Sequence, residues 1–329
     1  MIYALSLLQH LCIGQLPFVF KGGTSLLLLL ENANRFSVDV DIITQASRQE
    51  VEQALDRIAK TSLFTTWKLD ERRSYQPGIP KAHYKLEYVS QIDQKANYIL
   101  LDILFEKSQY PVVHALPIQC PWIETELILL VTLPTIESIT GDKLTAFAPN
   151  TTGILYERGK ELEIIKQLFD LGQLFDRIKV MDIVAKSFSA FVTQELVYRG
   201  LKLSAADILW DIIHTCRIIS FRERNRHEPD KSHFTELLRG IRSFDSYLIS
   251  GHFIIDDAVT AASKVAYLCS KLLREEYSPL ERYHGQAIQS LEITDPSWNA
   301  LNKLKRFPDR SAFFYWYQCL SILRLSNAA

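Results

Sequence analysis

The stretch FKGGTSLLLLLENANRFSVDVDII, residues 20–43, sets two aspartates, Asp39 and Asp41, inside an apolar run that follows the glycine pair Gly22-Gly23. The β-branched content of residues 35–43 predicts a strand. In a strand, residues i and i+2 point to one face, so Asp39 and Asp41 are expected to project together while Val38, Val40 and Ile42 face the opposite way. Their stems stand roughly 7 Å apart along the chain, a spacing at which carboxylate tips converge on one cation or a pair of them. The competing reading is an edge strand with a solvated polar face. The glycines fall between a brief strand, 18–20, and a helix predicted from about Thr24 to Asn32. Backbone N–H groups at glycine approach an anion closely, and a helix N-terminus adds a favourable dipole. Thr24 and Ser25 bring hydroxyl donors. Lys21 precedes the glycines, so the motif is not a Walker A loop, nor is it GxGxxG. Taken alone, the pair reads equally as a plain strand-to-helix turn.

A third carboxylate sharpens the reading. In YILLDILFE, residues 98–106, Asp102 has apolar neighbours on both sides, as in a central strand covered on both faces. An ionised carboxylate there is costly to desolvate and needs a partner, a metal or a cleft. Pairing with an Arg, or capping by backbone N–H groups, is one solution. Three inward carboxylates on two strands favour the other, a divalent-metal site. Hard oxygen ligands select Mg²⁺ or Mn²⁺, and two such ions about 3.5–4 Å apart clamp a phosphoryl transfer.

The rest of the chain frames this site. With 329 residues, 47% of them apolar, it is long enough for two domains and a sizeable core. The net charge of −1 argues against a globally basic nucleic-acid coat but leaves room for local patches. The five cysteines are scattered and include no CxxC pair, which points to a reducing, cytoplasmic compartment and away from a Cys-based zinc site. No signal peptide is visible, and the Leu26–Leu30 run is far shorter than the roughly 20 apolar residues a membrane span requires. A helix is predicted over 3–14, and MIYALSLLQHL starts without an N-cap, so the chain is expected to begin one or two turns into a longer natural helix. Ser47 and Glu50 form a capping-box pattern for a helix to Ile58. Strands are predicted near 63–69, 82–89 and 97–105, with a loop at Pro77, Gly78 and Pro80. After Pro134 the spacing becomes helical, over 138–148, 160–178, 181–199, 205–221, 232–249, 254–277 and 311–326. The fold class is therefore α+β: a mixed β-sheet domain with helices over 1–135, then an α-helical domain over 136–329.

GGTSL followed by RFSVDVDI, then LLDILF, GDKLTAF around Lys143 and KQLFDLGQL around Asp170, resembles the AbiEii/AbiGii-type toxin nucleotidyltransferases of the DNA polymerase β-like superfamily. The resemblance covers roughly residues 18–178 and implies a nucleotidyltransferase-like first domain, with the helical domain contributing Lys143 and Asp170 to the cleft. By this resemblance Gly22, Gly23, Thr24 and Ser25 hold the triphosphate of an NTP, and Asp39 and Asp41 ligate the metal bridging its phosphates. Asp102 holds a second metal or takes the proton from the attacking hydroxyl. Lys143 reaches the β- or γ-phosphate; without the family pattern it reads as an exposed helix lysine. Asp170 is either catalytic or the ion-pair partner of Lys143, and Arg35 either neutralises phosphate or pairs with Asp39.

The resemblance further implies a toxin of an abortive-infection toxin–antitoxin system, a cognate antitoxin, and transfer of NMP to the 3′ end of tRNA with release of pyrophosphate. Nucleotidylation of a protein, a metal-dependent phosphohydrolase and a non-catalytic binding module are the alternatives. Two basic clusters suit RNA phosphates: Arg217, Arg222, Arg224, Arg226 and His227, and Lys303, Lys305, Arg306 and Arg310. Each reads also as a solvated charged face. The aromatic run from Phe313 to Tyr317 offers either base stacking or core packing.

Overall fold

In the computed structural model, residues 1–30, 34–75, 78–120 and 128–324 are described. The predicted helix end at Glu31 and Asn32, the loop residue Pro77 and the last residues of the 311–326 helix lie outside them. The chain divides into two compact units, Met1–Thr135 and Ile136–Ala329.

The first unit runs α1 (Ile2–Ile13), β1 (Val19–Lys21), α2 (Gly22–Leu29), β2 (Val40–Thr44), α3 (Arg48–Thr61), β3 (Phe64–Leu69), α4 (Glu71–Ser74), β4 (Lys81–Val89), β5 (Ala96–Phe105), β6 (Val113–Pro117) and β7 (Leu130–Pro134). Five strands form a mixed sheet in the order β1-β2-β5-β4-β3, in which only β2 and β5 run parallel. Strict alternation along KAHYKLEY in β4 buries Ala82, Tyr84, Leu86 and Tyr88 and turns Lys81, His83, Lys85 and Glu87 to the other face. The buried face carries Val40, Ile42, Leu101 and Ile103 and packs against Leu5, Leu8 and Leu11 of α1 and Val51, Leu55 and Ile58 of α3. The capping box of α3 forms: the Glu50 backbone N–H donates to the Ser47 hydroxyl, and the Ser47 backbone N–H donates to Glu50. The opposite face of the central strands carries Asp41, Asp102 and His83 among the apolar Ile43, Leu100 and Leu104.

The predicted strand over 35–43 is shorter than its sequence suggests. Regular pairing begins only at Val40, and Val38 is exposed instead of sharing the core face with Val40 and Ile42. The reason is local. The Thr24 hydroxyl donates to the Asp39 carbonyl, so a side chain takes the backbone acceptor that a ladder would otherwise use.

The second unit is helical: α5 (Ile136–Ala146), α6 (Glu161–Phe175), α7 (Met181–Arg199), α8 (Ala205–Phe221), α9 (Glu228–Phe244), α10 (Ile255–Leu273) and α11 (Ser311–Arg324). It has its own core. The aromatic run belongs to that core, since Phe313, Phe314, Tyr315 and Trp316 are all buried, and the Trp316 indole N–H donates to Ser220 Oγ at 2.9 Å. These rings are not a base-stacking platform. Trp316→Ala is expected to destabilise this unit by about 3–5 kcal/mol in denaturant titration, the usual cost of emptying a large aromatic site. All five cysteines are free, and burial pushes the Cys319 thiol up to about 12. No helix among the described residues is long and apolar enough to cross a membrane.

Candidate active site

The parallel pairing of β2 and β5 sets Asp41 directly opposite Asp102, and on the other side of β2 the antiparallel strand β1 sets Lys21 opposite Asp41. Both carboxylates therefore stand on the same face of the sheet, one strand apart, or roughly 4.8 Å. Asp39 lies just ahead of β2 and not on the strand, so the expectation of two aspartates on one strand face is corrected for that residue. Asp39 and Asp41 are both half-buried.

The glycine pair follows β1 without a linker, because Gly22 is both the residue after the strand and the first residue of α2. Its φ of +76° lies in the left-handed region, and a Cβ there would sit 2.1 Å from Asp41 Oδ2. The absent side chain at Gly22 is thus the space the Asp41 carboxylate occupies. A Cβ at Gly23 would meet Arg35 Nη2 at 2.5 Å and Ser37 Oγ at 2.9 Å. Arg35 is buried, folds over Gly23 and donates to the Phe36 carbonyl at 3.1 Å. Thr24 and Ser25 are fully buried, and their hydroxyls bind protein oxygens: Thr24 the Asp39 carbonyl, Ser25 the Gly22 carbonyl at 2.8 Å. They brace the turn, while the backbone N–H groups of the first turn of α2 remain the donors that the helix itself does not use. Gly22→Ala is expected to melt at a lower temperature and to lose transfer activity about a hundredfold, because it displaces the carboxylate beside it. An activity assay alongside a thermal melt checks both parts.

Asp102 is held by two residues that sequence reasoning missed. Arg73 Nη2 donates to Asp102 Oδ2 at 3.1 Å, and His83 Nδ1 lies 2.6 Å from Oδ1. His83 is the register partner of Asp102 on β4. The four-residue helix α4 presents Arg73. Asp70 caps this helix, and the Lys85 ammonium beside Asp70 holds its carboxyl below the usual range. The pairing partner foreseen as the alternative to a metal is therefore present at Asp102. The signal for His83 was the alternation of β4, which places it on the face of Lys81 and Lys85. For Arg73 it was only Asp70 three residues earlier.

In the helical unit, Lys143 Nζ donates to Asp170 Oδ2 at 2.7 Å and to Gln167 Oε1 at 3.2 Å. Both charged residues are buried. Of the two alternatives left open for Asp170, the ion pair is what the geometry displays, and Lys143 is not an exposed helix lysine.

The basic cluster after α8 is divided. Arg217 pairs with Asp230 at 2.7 Å, while Arg222 pairs with Asp256 and lies over the Phe307 ring. Arg222 is thus engaged inside the unit. Arg224, Arg226 and His227 are exposed and line an open groove of about 1400 Å³ that Lys303 of the second cluster also borders.

Among the described residues, no three His, Cys, Asp or Glu side chains are grouped closely enough to hold a metal ion. Even so, the oxygen donors fit Mg²⁺ chemically: two carboxylates in register on one face, with Asp39 one residue beyond the strand.

A family model described as "Nucleotidyl transferase AbiEii toxin, Type IV TA system" matches residues 6–251. The chain belongs to this AbiEii family. It is a nucleotidyltransferase of the toxin side of a type IV toxin–antitoxin system, and membership brings an NTP substrate and an antitoxin counterpart with it. Among solved structures, the chain is similar to a "putative nucleotidyltransferase from H. pylori", at 14% identity and a TM-score of 0.48, over 84% of this chain and 98% of that one. It is also similar to JHP933 from Helicobacter pylori, at 14% identity and a TM-score of 0.44, over 84% and 92% of the two chains. No curated protein matches the sequence.

Proposed function

We propose that this AbiEii protein transfers NMP from an NTP to an RNA acceptor, the 3′ end of tRNA, in the cytoplasm, and that its antitoxin opposes that activity. The observation that carries the reading is the Asp41 carboxylate packed onto Gly22 at a helix start and in register with Asp102. An anion cradle and a carboxylate pair then adjoin, which is the juxtaposition a nucleotidyl transfer needs.

In the proposed reaction, the first turn of α2 holds the phosphates through backbone N–H groups, and Gly22 and Gly23 keep side chains out of the way. Asp39, Asp41 and Asp102 would hold Mg²⁺ or Mn²⁺, which supplies neutralisation of the triphosphate charge when bound. The RNA hydroxyl oxygen forms a bond to the α-phosphorus, the bond from that phosphorus to the bridging oxygen breaks, and pyrophosphate leaves. Asp102 takes the hydroxyl proton, its orientation fixed by Arg73 and His83. Arg35, folded over Gly23, adds positive charge beside the cradle.

Incubating the protein with each labelled NTP and total tRNA tests the reading. Label in the RNA band, lost with Asp41→Ala, is the expected result. Label in protein with none in RNA overturns it in favour of a protein acceptor.

A further inference from the structure

Asp102 is the carboxylate of the site that already has a cation. Arg73 Nη2 donates to its Oδ2 at 3.1 Å and His83 Nδ1 lies 2.6 Å from its Oδ1, so both oxygens are engaged. A carboxylate offers about four lone-pair sites, which leaves Asp102 able to share one further cation with Asp41, its register partner. A second divalent ion is a different matter. It would bind an oxygen that a guanidinium already holds, with like charges a few ångströms apart in a half-buried place.

The arginine is built into this position. The Asp70 backbone N–H donates to the His83 carbonyl at 2.8 Å, and the His83 N–H donates to Ser74 Oγ at 2.9 Å. Both ends of the short turn that carries Arg73 are thereby tied to the residue holding the other oxygen of Asp102. The Ser74 hydroxyl in turn donates to the Asp70 carbonyl at 2.7 Å, and the Asp70 carboxylate binds the Lys85 ammonium at 3.1 Å. An arginine caught by a passing carboxylate needs none of these ties.

The surrounding charge is asymmetric as well. Alternation along β4 puts Lys81, His83 and Lys85 on the face of Asp102, so the neighbours on that side are basic. Glu87, further along, is paired with Lys68 at 2.6 Å. Carboxylates free to take an ion lie on the β2 side instead. Nucleotidyl transfer needs positive charge where negative charge builds on the phosphoryl oxygens. Two metal ions supply it in many such enzymes, and a guanidinium, planar and always protonated, supplies the same sign without a metal.

We infer that Arg73 stands in for the second divalent ion. This nucleotidyltransferase works with one Mg²⁺ or Mn²⁺, drawn to Asp39 and Asp41 and sharing Asp102 with the guanidinium, and Arg73 is the positioning residue that keeps another ion out. The inference rests on the nucleotidyl-transfer reading above, but not on which acceptor is used.

The test counts ions on the full chain by equilibrium dialysis against Mn²⁺ and each α,β-imido NTP, for the wild type, Arg73→Ala and Arg73→Gln. One Mn²⁺ per chain is expected in the wild type and two in either variant, because Asp102 is then open to an ion. In the labelled-NTP assay, kcat should fall about a hundredfold in both variants. Added guanidinium should raise transfer by Arg73→Ala about tenfold, since it restores the missing planar cation. A merely structural arginine would leave the ion count unmoved and the variant deaf to guanidinium. The Arg73 side chain is 43% exposed, so thermal melts of the three proteins should lie close together. Arg73→Gln keeps an amide donor without the charge and carries the test where alanine loosens α4. Two ions in the wild type, or one in all three proteins, overturns the inference. Label in protein with none in RNA overturns the RNA acceptor alone, since the ion count does not depend on it.

Discussion

Asp41→Asn is expected to lower nucleotidyl transfer by about 10³-fold or more while leaving the melting temperature unchanged or slightly raised. The change preserves the shape of the side chain that fills the space above Gly22, so the turn from β1 into α2 has no reason to collapse. What it removes is charge. Asp41 and Asp102 are direct register partners one strand apart, and like charges so placed oppose folding. Arg73 offsets part of the Asp102 charge and Lys21 stands opposite Asp41, so the repulsion left in the resting protein is small and its removal shifts the melting temperature little. A carboxylate kept for stability would do the reverse, and its neutralisation would lower the melting temperature. Under the site reading, activity therefore falls with no matching fall in stability. The labelled-NTP assay, run beside a thermal melt, measures both, and transfer at the wild-type rate by Asp41→Asn would falsify the role given to this residue.

How much of this was legible in the sequence depends on the range of the interactions involved. Helices 181–199 and 205–221 are legible to the residue because periodicity and their ends are local features. Alternation in KAHYKLEY likewise assigns each β4 side chain to its face. The glycine pair and the aspartates are visible as neighbours in sequence, but the reason for the glycine at 22 is a contact with Asp41, nineteen residues away. The strand over 35–43 was overdrawn because β-branched content records preference, while the Thr24 hydroxyl decides where the ladder starts. Arg73 and His83 could not be joined to Asp102 by local pattern, since the two contacts span 29 and 19 residues. A four-residue helix such as α4 has too little length to show a period. The division within the arginine cluster was equally hidden, because the Asp256 that engages Arg222 comes from α10.

Lys143 and Asp170 pose the opposite case to Asp41, and the expected result is a large loss of stability. Removing one member, as in Lys143→Ala or Asp170→Ala, leaves a charge with little access to water and is expected to cost about 3–5 kcal/mol. For a unit of this size that lowers the melting temperature by roughly 6–20 °C. Gln167 shares the Lys143 ammonium, but a neutral amide cannot balance its charge. The double replacement Lys143→Met with Asp170→Leu removes both charges, fills similar volume and is expected to recover most of the loss, since a desolvated ion pair is frequently matched by apolar packing. This double variant separates the two roles that the sequence left open. A pair that only holds α5 to α6 returns both stability and transfer when replaced by a packed apolar pair. A lysine required for the reaction returns stability alone. Melting is expected to recover in the double variant; transfer that recovers with it confines both residues to packing, and transfer still lost ties Lys143 to the reaction.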